Sequence, residues 1–363
     1  MTGTWIALLG RCDKPTDAVE DYCRFLGAAL GELGVELSLE RVSWEVGGWS
    51  GARAELHQKA AAWGGRWVLV QYTALAWSAH GFPLRFPGIL RSLRASGARV
   101  AVVYHDVEPY EGQRIIDQLR RKAQVWTMRR ALHTADAAIL TVPADKLSWM
   151  AGDLATNASF IPVGANLPIT PNGGKTTLTD GLRTVAVFGV TGGAAGAPEL
   201  HQIAASLRFA ATRVGKLRLV ALGRGTEKLE APFRDALKDA SVAVKVLGVL
   251  PGEEVVRALR TADVLLFVRS PISSRRGSAL AGIACGLPVI ARTGSETAAP
   301  VTEAGVAFYS QDAADEPGAT LVRVLTDDAY RAELADKSLR AYQEHFSWRA
   351  IAQKYVAALN RRD

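Results

Sequence analysis

Short apolar segments alternate with segments of helical periodicity along almost the whole chain. Residues 5–9 (WIALL) form a short apolar run, and the apolar side chains of residues 16–34 recur at helical spacing. The same alternation continues through the apolar runs at 67–72 (WVLVQY) and 99–105 (RVAVVYH). Such repetition is typical of a mostly parallel sheet that is covered by helices. We therefore predict an α/β fold.

A change of composition divides the chain. Residues 161–183 hold three prolines and four glycines, which favours a linker, and the alternation restarts at residue 184. We predict two tandem doubly wound, Rossmann-like domains that face a cleft. The predicted boundaries are 1–165 for the N-terminal domain, 166–183 for the linker, 184–345 for the C-terminal domain and 346–363 for a final helix that packs back on the N-terminal domain. In such folds ligands bind beyond the carboxyl ends of the strands, so the cleft is the expected site.

Composition excludes several classes of protein. Hydrophobic residues make up 48% of the 363 residues, which predicts a folded globular chain. No apolar run reaches the roughly 18–20 residues that a membrane-spanning helix needs, and no basic segment precedes the first apolar run as in a signal peptide. The three cysteines are far apart and have no partner at metal-binding spacing. We expect a reduced, cytoplasmic chain without a metal site.

The net charge of +7 has two interpretations, which are an arginine-rich composition and attraction to polyanions. Nucleic acid is not an expected partner, because the tryptophans lie mostly inside apolar stretches. The helix predicted over residues 112–134 concentrates cationic side chains around Trp126: these are Arg120, Arg121, Lys122, Arg129 and Arg130. This helix either exposes a basic face to solvent, which we expect, or makes peripheral contact with an anionic membrane.

The segment GSALAGIACGLPVIARTGSET (277–297) predicts a helix of small residues that begins after a strand and a polar loop. The start of a helix exposes unpaired N–H groups and carries a partial positive charge. The residues at this start that favour a phosphate are Arg275, Arg276, Gly277 and Ser278. An ordinary surface loop with solvated arginines is the alternative. The segment carries no acidic residue before Glu296.

Other strand ends offer further candidates. Gly189 begins a glycine-rich loop after the strand 184–189, and Arg224 follows the strand 217–223. Both are candidates for the diphosphate side of the cleft. The alternative for the loop at Gly189 is an ordinary tight turn, and the alternative for Arg224 is a solvated side chain. In the N-terminal half, Gly10 follows the first strand and is a further candidate for the diphosphate side, while His105 and Asp106 follow another strand. Titratable groups at such positions are candidates for chemistry.

Several segments together resemble the GT-B glycosyltransferases of the bacterial group 1 type, also called family four. The resemblance covers nearly the whole chain and rests on LLGRCDKPTDAVEDYCRFLGAALGELG, VVYHD, IPVGANL, VLGVLPGEEVVRALRTADVLLFV, GSALAGIACGLPVIARTGSE and HFSWRAIAQKYVAAL. It implies an enzyme that transfers a sugar from a nucleotide-diphosphate sugar to a glycan, a lipid-linked acceptor or a small molecule. The implied location is the cytoplasm, with the inner face of the membrane as an alternative. It further implies retention of configuration, independence of metal ions and no cofactor besides the nucleotide-sugar substrate.

The same resemblance assigns positions within the chain. His105 matches a family histidine near the donor sugar, and we place Asp106 beside it as a catalytic candidate. On the acceptor side we place Asp17, Tyr72 and Arg85. Where the family has two glutamates eight positions apart, this sequence has Ser273 and Ala281.

That departure keeps alternatives open. The first alternative is a non-catalytic GT-B subunit that binds a partner enzyme, motivated by the lost glutamates. A nucleotide-sugar epimerase is the second, and it needs carboxylates in the cleft that the sequence does not place. A nicotinamide-dependent enzyme is a more distant alternative, because the loop after Gly189 only loosely resembles a dinucleotide fingerprint.

Overall fold

A computed structural model describes residues 3–13, 17–150, 156–170, 174, 176, 178, 180–310 and 316–360. The chain divides into two compact units. Unit 1 comprises Met1–Pro162 and Trp348–Asp363, and unit 2 comprises Val163–Ser347. Residues 163–183, which the sequence divides between the first domain and the linker, therefore group with unit 2. The reason is packing, because Leu167 lies in the core of unit 2 and the Val163 amide donates to the Ser274 carbonyl at 2.9 Å.

Unit 1 is built on a six-stranded parallel sheet of order β2-β1-β3-β4-β5-β6. Its strands are β1 (Gly3–Leu9), β2 (Val35–Arg41), β3 (Trp67–Tyr72), β4 (Arg99–Tyr104), β5 (Ala137–Leu140) and β6 (Ala158–Phe160). Its helices are α1 (Ala18–Gly31), α2 (Trp44–Ala60), α3 (Phe86–Ala95), α4 (Ile115–Thr134) and α11 (Trp348–Asn360).

Unit 2 holds a second six-stranded parallel sheet, of order β12-β11-β10-β7-β8-β9. Its strands are β7 (Arg183–Phe188), β8 (Leu217–Leu222), β9 (Val242–Gly248), β10 (Val264–Leu266), β11 (Val289–Arg292) and β12 (Val306–Tyr309). Its helices are α5 (Ala197–Val214), α6 (Glu230–Ala236), α7 (Gly252–Arg260), α8 (Gly277–Ala284), α9 (Glu316–Thr326) and α10 (Asp328–Ala341).

The central strands of both sheets are buried on both faces. Val68, Leu69 and Val70 in β3 and Val264 in β10 have no exposed surface. This burial explains why the strands appear in the sequence as continuous apolar runs instead of alternating patterns. The two parallel sheets with their covering helices confirm the predicted α/β class. None of the helices in the described ranges is long and apolar enough to cross a membrane.

One helix begins earlier than its sequence pattern predicts. The pattern places it near 51–63, whereas α2 starts at Trp44 and carries a break at Gly48, whose φ of 68° lies in the left-handed region. The indole of Trp44 stacks on that of Trp49 at 5.2 Å, and its Nε1 donates to the Ala76 carbonyl. The stacking within α2 and the hydrogen bond to Ala76 outside it stabilise the additional helical turn.

Candidate functional site

The start of α8 in unit 2 presents uncapped backbone N–H groups. Its N-cap residue is Arg276, whose side chain forms no capping hydrogen bond with the first turn. Gly277 is exposed and Ser278 is half-buried at this end, while Gly286 closes the other end with a φ of 72°. The helix lies close to the sheet, since a β-carbon on Gly282 would approach Leu265 Cδ2 to 2.6 Å. A rigid, open helix start at the sheet's carboxyl edge favours an anion.

Arg275 forms a salt bridge with Glu296. Its guanidinium donates to both carboxylate oxygens, at 2.8 Å from Nε and 2.6 Å from Nη2. Ser273 Oγ donates to the same carboxylate at 3.0 Å. Burial alone would raise the pKa of Glu296, but the hydrogen bonds and charge of Arg275 outweigh it and lower the pKa below its usual value. The pair fixes the guanidinium of Arg275 against the loop after β11.

Arg276 has no such partner. Its Nε is buried and makes no hydrogen bond to any described residue. Burial, together with the positive charges of Arg275 and Arg269, lowers the pKa of Arg276 to about 10, although Glu296 acts in the opposite direction. A half-buried guanidinium with an unsatisfied donor is costly in isolation, and an anion that accepts from it removes that cost.

The glycine-rich loop after β7 joins this cluster. A β-carbon on Gly189 would lie 3.9 Å from Arg269 Nη1 and 3.7 Å from the Arg224 carbonyl. The Val190 amide donates to that same carbonyl at 3.2 Å. The structure therefore brings Gly189 and the backbone of Arg224 next to Arg269, whose charge reaches Arg276. The Arg224 side chain is exposed.

The two positions where the family has glutamates are closed to solvent. Ser273 and Ala281 each expose 1% of their surface. Ala281 packs in the core of unit 2 as part of α8. The acidic group of this region is instead Glu296, which reaches the Ser273 hydroxyl from the loop after β11.

Unit 1 contains a cavity of about 220 Å³ at the carboxyl ends of its strands. Gly10, Asp17 and Asp106 line it together with Gln71. Gly10 is required by space, because a β-carbon there would lie 2.3 Å from the Ala76 carbonyl oxygen. The structure thus gathers three of the candidate residues around one polar cavity.

His105 lies beside this cavity and is held by Gln71. Gln71 is 2% exposed and its Nε2 donates to the Leu69 carbonyl at 3.0 Å, so its Oε1 is the atom that faces His105 Nε2 at 2.8 Å. His105 Nε2 therefore carries the hydrogen, which leaves Nδ1 as the acceptor. Burial lowers the pKa of His105 to about 4, although the charge of Asp17 opposes this shift. The imidazole is neutral at physiological pH.

The two carboxylates of the cavity already have partners. Asp106 accepts from the Ala74 amide at 2.8 Å, and Asp17 caps α1 by accepting from the amides of Val19 and Glu20. Asp17, Glu20 and Cys12 place possible metal-binding atoms within 4.8 Å of one another. Arg41 donates to both carboxylates of that group, at 3.1 and 2.6 Å. The set is an ion-pair cluster in which the guanidinium of Arg41 binds the carboxylates that a metal ion would need.

Tyr72 and Arg85 lie apart from the lining of this cavity. Tyr72 is 1% exposed, packs on Phe86 and Tyr104, and its hydroxyl has no hydrogen-bond partner among the described atoms. Arg85 is exposed at the start of α3, with its guanidinium 5.5 Å from the ring centre of Trp49. The three residues predicted for the acceptor side are therefore not one cluster.

Known structures resemble the chain over almost its whole length. HepE of Anabaena, solved with UDP and glucose, has a TM-score of 0.65 at 13% identity, with 99% of both chains covered. A glycosyltransferase of Rickettsia africae gives 0.67 at 9% identity, covering 99% of this chain and 98% of that one. Sucrose-phosphate synthase of Thermosynechococcus elongatus gives 0.66 at 17%, with 99% of both covered. This chain has the GT-B fold.

The GT-B fold is the one that the resemblance implies, so that prediction is confirmed. No protein-family model matches the sequence, and no curated protein matches it. At identities this low the likeness establishes the GT-B fold, and the activity is argued from the residues of the site.

Sequence reasoning missed three residues of these sites. Arg269 follows β10 almost directly, and a charged residue at a strand end was a usable signal. Gln71 is the one polar residue in WVLVQY, which also marks it. Glu296 stands out in the sequence only as the first acidic residue of its segment. Its pairing gave no signal, because it lies 21 residues from Arg275 and only the path of the chain brings them together.

Proposed function

We propose that the protein is a glycosyltransferase that uses a nucleotide-diphosphate sugar as donor. The observation that carries this proposal is Arg276, a cation at the open start of α8 whose buried Nε has no hydrogen-bond partner among the described residues. Burial lowers the pKa of Arg276, and the positive charges of Arg275 and Arg269 lower it further. A diphosphate accepts from the half-buried guanidinium of Arg276 and from the first N–H groups of the helix. The GT-B neighbour HepE was solved with UDP and glucose, which supports this donor class.

The reaction we propose is substitution at the anomeric carbon. The bond from that carbon to the diphosphate breaks, a bond to an acceptor hydroxyl oxygen forms, and the hydroxyl proton passes to the departing phosphate. Arg276 and the α8 start stabilise the negative charge that develops on the diphosphate, which is the main requirement of this chemistry. We propose a metal-independent reaction, because these cationic groups supply the positive charge that the diphosphate needs. The retaining outcome is proposed from the resemblance to the group 1 glycosyltransferases.

The polar cavity of unit 1 supplies the groups that we assign to the transferred sugar and the acceptor. His105, fixed by Gln71 as the Nε2–H tautomer, serves as a neutral hydrogen-bonding group, since its low pKa excludes a cationic role at neutral pH. Asp106 and Asp17 offer carboxylate oxygens to acceptor hydroxyls at the cavity wall. We propose a glycan or lipid-linked acceptor and a cytoplasmic location. Tyr72 and Arg85 stay candidates for the acceptor side.

Binding of nucleoside diphosphates tests the donor site. We expect UDP, GDP, ADP or TDP to raise the melting temperature of the full chain, and titration calorimetry to give a tenfold or greater loss of affinity in Arg276→Ala, because a charged hydrogen bond contributes about 1.5–3 kcal/mol. Arg276→Lys should recover part of the affinity. Arg234→Ala on α6, which removes an exposed ion-paired arginine, is the matched control. No stabilisation by any of the four would overturn the donor site.

A non-catalytic subunit is the second candidate, because Ser273 and Ala281 are buried and Glu296 is held by Arg275. Both functions predict nucleotide binding, so turnover separates them. Release of nucleoside diphosphate from a panel of nucleotide sugars, with a mixture of sugar and lipid-linked acceptors, supports the enzyme. Binding without release across the panel would favour the subunit.

A further inference from the structure

The outward face of α4 carries apolar side chains that nothing in the described chain covers. Ile115 is 78% exposed, Leu119 is 52% exposed and Trp126 is 51% exposed. The opposite face of the helix is buried through Gln124, Met128 and other residues. A helix that only presents a solvated basic face does not need three large apolar residues in water.

These residues form one stripe with cations. Ile115, Leu119, Lys122, Trp126, Arg130 and His133 are spaced three or four positions apart, so they share a face. Between Ile115 and His133 the helix rises about 27 Å, at about 1.5 Å per residue. A groove of about 840 Å³ runs beside Trp126, with Lys122 and Arg130 on its walls.

Not every cation of α4 is available to a partner. Arg120 pairs with Asp117 and donates to the His80 carbonyl, and Arg129 donates to the Trp149 carbonyl. Arg121, Lys122 and Arg130 are exposed, and none of them forms an ion pair within the ranges that the structure describes. The outward face therefore combines unneutralised positive charge with aliphatic and indole side chains.

We propose that this face docks the protein on an anionic lipid bilayer. Ile115, Leu119 and Trp126 enter the headgroup layer, with the helix axis along the membrane plane, while Lys122 and Arg130 meet lipid phosphates. A bilayer fits better than a protein partner, because protein interfaces are depleted of lysine at their cores and here the cations lie between the apolar residues. Tryptophan is favoured at the membrane interface because its ring is apolar and its N–H is polar.

Vesicle sedimentation of the full chain tests this proposal, without any donor or turnover. We expect binding to vesicles of phosphatidylcholine mixed with phosphatidylglycerol, weaker binding to phosphatidylcholine alone, and a loss of binding at high salt. Lys122→Gln with Arg130→Gln should weaken binding about 25-fold, from about fivefold for each cation. Ile115→Gln with Leu119→Gln should weaken it at least about fivefold.

Matched controls remove the same groups elsewhere. Arg234→Gln with Arg257→Gln deletes two exposed helical cations of unit 2, and Val249→Gln deletes an exposed apolar side chain. These variants should bind as the unchanged protein does. Failure to bind anionic vesicles, or an equal loss in the controls, would overturn the proposal. A dimer that Ile115→Gln with Leu119→Gln dissociates, without vesicle binding, would assign the face to a second copy and also overturn it.

Discussion

The two strand-end sites differ in how completely the protein satisfies its own polar groups. In unit 1, Asp17 is paired with Arg41, Asp106 accepts from a backbone amide and His105 is bound by Gln71. In unit 2, Glu296 pairs with Arg275, whereas the buried Nε of Arg276 has no partner in the part of the chain that the structure describes. A satisfied site orients a neutral ligand through few remaining hydrogen bonds, whereas an unsatisfied cation gains free energy from an anion. The comparison indicates that unit 2 binds a charged ligand and that unit 1 binds a neutral one.

Removing the charge of Glu296 should have the largest effect on this contrast. Glu296→Gln removes the carboxylate that pairs with Arg275 and opposes the charge of Arg276, so we expect the free energy of unfolding to fall by up to about 4 kcal/mol, measured by urea denaturation. Inorganic pyrophosphate should raise the melting temperature of this variant more than that of the unchanged protein. Glu230→Gln, which breaks an exposed pair with Arg234, should cost less than about 0.5 kcal/mol. Equal costs for the two substitutions would show that the cluster carries no special strain.

The neutral state of His105 should appear as a dependence of stability on pH. The folded pKa of about 4 lies below the ordinary value of 6.5, so the unfolded chain binds the additional proton between these values. Stability is therefore fully present above about pH 6.5 and falls as the pH drops towards 4, by up to about 3 kcal/mol from this group. The measurement is the free energy of unfolding against pH, with His105→Gln as the comparison. A difference between the two proteins that stays constant with pH would contradict the buried neutral imidazole.

Asp17 allows the smallest and most selective test of the unit 1 site. Asp17→Asn keeps a good N-cap for α1 but removes the charge that pairs with Arg41, and we expect a loss of about 1 kcal/mol. Asp17→Ala removes the cap as well and should cost about 2 kcal/mol in thermal or urea unfolding. If both variants lose the same free energy, the carboxylate acts through its charge and the cap is unimportant.

Most of the fold was predictable from the sequence because it depends on local periodicity. The apolar runs WVLVQY and TVAVFG and the helical spacing that follows them already require parallel strands and covering helices. The start of α8 was predictable for a similar reason, since Gly286 and Pro288 mark its end and the preceding strand marks its beginning.

The partners within the sites were not predictable, because they are set by the path of loops. The sequence places Arg275 and Arg276 as equivalents, and only the loop after β11 decides that Glu296 takes one of them. Likewise, His105 and Asp106 are neighbours in sequence, yet one contacts Gln71 and the other the Ala74 amide. A strand-end rule predicts which residues arrive at the edge of the sheet, but it does not predict which hydrogen bonds they keep.

The position of α11 has a consequence for how the chain matures on the ribosome. Tyr355 donates to or accepts from the Tyr22 hydroxyl at 2.9 Å, and Trp348 stacks on Phe25, so α11 covers the face of α1. Residues 163–347 of unit 2 are synthesised between these two helices. Residues 3–162 of unit 1 are therefore made before the helix that covers α1. Unit 1 therefore completes its packing only after α11 has been synthesised, and until then the part of α1 that α11 covers is exposed.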